Sequence, residues 1–69
     1  MSRGEHMKEA RRKAGLTIRE LAAKSYISGT TISRLERGDH LGAFETVAIL
    51  AKALGLTIDE YVGESYGND

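Results

Sequence analysis

Only two residues, Tyr26 and Ile27, separate one stretch patterned for a helix from the signal that starts the next. The first stretch opens at Thr17, whose hydroxyl can cap a helix, and Glu20 three positions on completes a T-x-x-E capping box. Leu21 and Ala22 are set to face inward, while Arg19, Glu20 and Lys24 face water, and the helix is expected to end near Ser25. The second stretch starts at Ser28 and runs from Gly29 to Arg37, with Ile32 and Leu35 as its buried stripe, Ile27 beside them and Gly38 as its stop. Two helices joined across so short a break cannot lie antiparallel, so they must cross steeply.

That crossing is a helix-turn-helix arrangement. Around it the chain reads as helix throughout. A first helix is expected over Gly4–Ala14, with Met7, Ala10, Arg11 and Ala14 on one side and Gly15 ending it. After a loop at Asp39–Gly42, a fourth helix runs from Ala43 to Leu54. Its wide apolar face of Phe44, Val47, Ala48, Leu50, Ala51 and Leu54 should supply the centre of the core. Gly55 stops it, and Thr57-x-x-Glu60 is a second capping box that opens a short fifth helix reaching about Val62. The similar segments GLTIRE and GLTIDE reflect shared capping chemistry rather than a duplication. Residues 4–62 thus form one all-α domain, and the polar 63–69 tail is expected to be disordered.

Sixty-nine residues allow a single small core. Without cysteine there are no disulfides or thiolate metal sites, which fits a reducing cytoplasm. The longest apolar run, VAILA, is far too short to span a bilayer, and the charged N-terminal segment is no signal peptide. The net charge is zero, but its distribution is uneven. Residues 1–37 carry nine of the ten basic side chains against four acidic ones, a net +5, and residues 38–69 carry one lysine against six carboxylates, a net −5. The first half could therefore meet a polyanion while the second is held away from it.

With Ile32 and Leu35 inward, the opposite face of the third helix carries Thr30, Ser33, Arg34 and Arg37, with Gly29 at its first turn. A helix lying in the major groove reads bases through side chains near its N-terminal end. Arg34 can form a fork to guanine O6 and N7, and Thr30 and Ser33 can donate, accept or touch a thymine methyl. Gly29 has no side chain and can allow close approach. Ser28 is first a helix cap, compatible with a nearby phosphate. Arg19 and Arg37 suit phosphate better than bases, and the amides at Thr17–Ile18 offer a helix N-terminus to a phosphate. His6 and His40 are read as surface residues, with His40 placed to touch a phosphate. No H-x-x-x-H spacing, G-x-S-x-G elbow or phosphate loop occurs, so no enzyme, metal site or cofactor is expected.

The run GLTIRELAAKSYISGTTISRLERG, followed by AFETVAILAKALGLTIDEYV, resembles the Cro/C1-type helix-turn-helix domains, also called the xenobiotic-response-element family. The match covers about residues 4–62. The resemblance implies a five-helix, lambda-repressor-like fold that binds double-stranded DNA, usually as a dimer, with helix three in the major groove. It implies a structural ion pair between Arg11 and Glu36, and a dimer patch from Ile58, Tyr61 and Val62 with Tyr66 beyond. The other reading of Ile58 and Val62 is that they close the core of one chain.

The chain departs from that family's pattern in four ways, one of them its zero net charge, which gives little non-specific attraction to DNA and a strongly salt-sensitive affinity. Tyr26 stands where glycine is usual, so the turn is expected to be remodelled, because a left-handed turn strains tyrosine. Ile18 replaces a phosphate-gripping glutamine, and Asp39 would repel a phosphate. The sequence therefore reads as a cytoplasmic, repressor-like DNA-binding transcriptional regulator. The alternative is an antitoxin or protein-interaction module on the same scaffold with weak or lost DNA binding.

Overall fold

The computed structural model describes residues 1–39 and 42–63. Five helices follow one another: α1 (Arg3–Lys13), α2 (Ile18–Ser25), α3 (Gly29–Arg37), α4 (Phe44–Ala53) and α5 (Ile58–Val62). There is no strand among the described residues. His40 and Tyr66 lie outside the described residues, as do 64–69 of the tail.

Local chemistry sets the helix ends. Thr17 and Thr57 each accept from the amide of the glutamate three residues on, and that glutamate accepts from the threonine's own amide. A third box, missed in the sequence reading, starts α1 at Ser2: its hydroxyl accepts from the Glu5 amide at 3.1 Å, and its amide donates to Glu5 Oε1 at 2.8 Å. The segments GLTIRE and GLTIDE form the same device twice. Gly15 and Gly55 hold φ of 77° and 74°, a left-handed conformation that suits glycine. The amides of Leu16 and Leu56 then reach back to the carbonyls of Arg11 and Ala51, five residues earlier. One helix closes and the next is capped within six residues.

The core comprises Met7, Leu21, Ile32, Leu35, Val47, Leu50, Ala51, Tyr61 and Val62. Helix α1 packs on α3 and α5, α2 packs on α3 and α4, and α4 packs on α5. The helix-turn-helix pair is thus supported from behind by α1 and α4. Three side chains depart from their expected positions. Ala14 is exposed although it shares the side of Met7 and Arg11, because it is the C-cap residue, past the last turn of α1. Phe44, assigned to the core face, is 56% exposed at the first residue of α4, whose buried residues Val47, Leu50 and Ala51 lie further along the helix. His6, read as a surface residue, is half-buried, with Nδ1 3.1 Å from the Tyr61 carbonyl. A carbonyl only accepts, so Nδ1 carries the proton and donates.

Gly4 sets how closely α1 approaches α3. A Cβ there would lie 2.5 Å from the Glu36 carbonyl oxygen and 2.8 Å from that of Leu35. These backbone atoms cannot rotate aside. Overpacking of this kind costs about 1–3 kcal/mol, more than the fraction of a kcal/mol that alanine returns at a helix end. Gly4→Ala should therefore lower the melting temperature, which thermal unfolding followed by circular dichroism checks.

Tyr61 is fully buried, and its hydroxyl has no hydrogen-bond partner among the described residues. Burial, reinforced by the Glu36 carboxylate, pushes its ionisation well above the ordinary value. A value raised by folding means that this group's contribution is complete below about pH 10 and is lost as the pH climbs past it. In a Tyr26→Phe/Tyr66→Phe background, the Tyr61 phenolate absorbance should rise together with loss of helical circular dichroism. Ionisation before any loss of helix would show that the ring is not sealed.

Candidate nucleic-acid interface

Helix α3 divides cleanly by side. Ile32, Leu35 and Glu36 are buried, while Thr30, Arg34 and Arg37 are exposed and Ser33 is half-buried. The exposed strip begins at Ser28, whose hydroxyl accepts from the Thr31 amide at 3.1 Å and donates to Thr31 Oγ1 at 2.9 Å. Arg34 makes no side-chain hydrogen bond within the described residues and reaches into solvent. Arg37 donates from Nε to Asp39 Oδ2 at 3.1 Å and from a terminal nitrogen to Ser33 Oγ at 3.2 Å. Both members of that ion pair are more than half exposed, so water screens it and it contributes little stability.

The N-termini of α2 and α3 meet. A Cβ on Gly29 would lie 3.4 Å from an Ile18 methyl carbon, so the first residues of the two helices touch. The Gly29 position thus faces α2, where a Cβ would just meet Ile18 at ordinary contact distance. The first helical hydrogen bonds are Leu21 N–H to Thr17 and Ile32 N–H to Ser28. The amides of Ile18, Arg19, Gly29 and Thr30 precede them, as the first-turn donors of a helix do. Two positive dipole ends converge at one place, next to the exposed Thr17, Arg19 and Ser28.

The turn between the helices is not remodelled. Tyr26 adopts the left-handed conformation, φ 63° and ψ 20°, and is the only non-glycine residue with positive φ among the described residues. Its amide donates to the Ala22 carbonyl, and the buried Ser25 hydroxyl accepts from the Ile27 amide at 3.1 Å. These bonds fix the turn, so the chain carries a strain of about 1–2 kcal/mol. The sequence marked Ser25 only as a helix end, and its bond to the Ile27 amide was not foreseen, although serine hydroxyls commonly bond the backbone two residues on.

An ion pair holds α3 in place. Arg11 donates from Nε to Glu36 Oε2 at 2.8 Å and from Nη2 to Oε1 at 3.0 Å, while Nη1 reaches the Leu16 carbonyl at 2.8 Å. The two side chains are only 9% and 4% exposed. Hydrogen bonding to Glu36 raises the Arg11 pKa, so the charge is fixed at any working pH. One guanidinium therefore ties together α1, the turn before α2, and the end of α3.

The dimer patch expected on α5 is largely absent from the surface. Tyr61 and Val62 are buried and Ile58 is half-buried against the core. Helix α5 has only five residues, so its apolar side chains are used in closing the core over α1 and α4.

The profile of the helix-turn-helix family matches residues 7–61, and the chain belongs to that family, of the Cro/C1 type. It is also 33% identical over 66 residues to the HTH-type transcriptional regulator DdrOP3 of Deinococcus deserti, an alignment covering 93% of this chain and 51% of that protein. The chain spans about half the length of this curated relative. No helix among the described residues is long and apolar enough to cross a membrane.

Removing one partner of a buried ion pair leaves an uncompensated charge and costs about 3–5 kcal/mol. Glu36→Ala should therefore unfold the domain or lower its melting temperature sharply. A wild-type melting temperature, measured by circular dichroism, would show that the pair does not hold α3.

Proposed function

We infer that the chain is a sequence-specific regulator of transcription that binds double-stranded DNA, with α3 lying in the major groove. The observation that carries this reading is the solvent-facing strip of Thr30, Ser33 and Arg34 beside the converging N-termini of α2 and α3. The strip offers hydrogen-bonding groups of the kind that read base edges. Arg34 forks to a guanine, Thr30 and Ser33 touch adjacent base edges, and Gly29, whose side-chain position faces α2, offers only its backbone amide there. Phosphates on either side are held by the Ile18 amide, by the Thr17 hydroxyl proton, by Arg19, by Ser28 and by Arg37 once it leaves Asp39, the Thr17 amide being held by Glu20. His40 remains proposed for a phosphate. The protein acts in the cytoplasm as a repressor that occludes its site. Its homodimer reads half-sites about 34 Å apart.

One observation favours a second reading, a protein-interaction module or antitoxin with weakened DNA binding. Asp39 partly neutralises Arg37, and Ile18 brings no polar side chain to α2's first turn. Fluorescence titration against mixed-sequence duplex at low salt separates the two, since the second reading expects weak or no binding.

Selection of bound duplexes from a random pool should yield a defined site. Against that site, Arg34→Ala should weaken binding by about 1–3 kcal/mol and relax preference at one base pair. Wild-type affinity and preference in that variant would overturn the docking.

A further inference from the structure

Tyr26 is strained and 95% exposed, so its ring packs on nothing in its own chain that would explain it. A residue held in a costly backbone conformation without a packing return points to a use outside the fold. Along the turn, Tyr26, Ser28 and Thr30 are exposed, whereas Ile27 and Gly29 are half-buried. The phenol therefore stands in water two residues before the α3 cap and four before the first residue of the exposed strip. The neighbouring anchors are sparse. Ile18 carries no polar side chain, and Arg37 is held by Asp39 and Ser33.

We propose that Tyr26 is a DNA-backbone contact: its hydroxyl donates to a phosphate flanking the groove that α3 occupies. The proposal deepens the DNA-binding reading and rests on it. Tyrosine hydroxyls are among the side-chain groups that bind phosphate oxygens, and such contacts position a protein without reading sequence. The phenol is uncharged, so the contact releases no counterion. The turn thus exchanges backbone ease for an anchor beside the recognition surface.

The test compares the full-length wild type with Tyr26→Phe and Tyr26→Gly on two probes, a duplex selected by the wild type and a mixed-sequence duplex. Tyr26→Phe keeps the ring and the turn. It should melt as wild type does, bind both duplexes about three- to tenfold more weakly, and leave the salt slope unchanged. Tyr26→Gly should melt at a higher temperature yet bind both duplexes as weakly as Tyr26→Phe. A more stable variant that binds less well separates contact from scaffold. Wild-type affinity in both variants overturns the proposal, as does a loss confined to Tyr26→Gly, which would assign the effect to the ring or the turn. A loss on the selected duplex alone also overturns it, because a phosphate contact acts on both. If the wild type binds neither duplex at low salt, the DNA-binding reading itself fails and takes this contact with it. If Arg34→Ala alone weakens binding, only the Tyr26 contact falls.

Discussion

A guanidinium and a carboxylate, both nearly sealed from water, fix the geometry on which the exposed side of α3 depends. Arg11 meets Glu36 through two hydrogen bonds and the Leu16 carbonyl through a third. Desolvating both charges offsets much of their attraction, so the pair adds little stability relative to an apolar substitute. What it supplies is direction. Both forks must be satisfied together, and this is possible at only one rotation of α3 about its axis. With Glu36 turned inward, Arg34 and Thr30 are turned outward. Gly4 completes the clamp by letting α1 rest on the carbonyls of Leu35 and Glu36.

Charge is arranged locally rather than in bulk. The chain is neutral, but its basic residues gather in the first half, which also contains the two converging helix N-termini. For the DNA binding proposed above, attraction would come from a few side chains and from backbone dipoles. Asp39 holds Arg37 in an exposed pair weak enough to be exchanged for a stronger partner. Such a surface depends on fit more than on long-range attraction, and salt acts on it through the few phosphates it neutralises.

A domain this small needs agreement between local and global preferences. The G-L-T-I-x-E device provides it twice, closing α1 and α4 and capping α2 and α5. Ser2 and Glu5 extend the same capping chemistry to α1. The clearest conflict between local preference and fold is at Tyr26, in the turn beside the exposed strip. Fold and proposed function pull against each other at that residue.

The sequence alone determined most helix ends, because a stop glycine or a capping hydroxyl acts on residues within about one turn of it; the Ser2 start of α1 is the exception. Thr17, Ser28 and Thr57 mark starts, Gly15, Gly38 and Gly55 mark stops, and Ile32 with Leu35 marks the buried side of α3. The placement of Thr30, Ser33 and Arg34 on the opposite side followed from the same periodicity. Only the tertiary structure decided which side chains other elements cover. It exposed Phe44, drew His6 against α5, turned Tyr61 and Val62 into the core, and kept Tyr26 left-handed. Periodicity fixes the angle of a side chain around its own helix. Burial depends on what packs against that side, and this is set by residues distant in sequence, such as Gly4 against the end of α3.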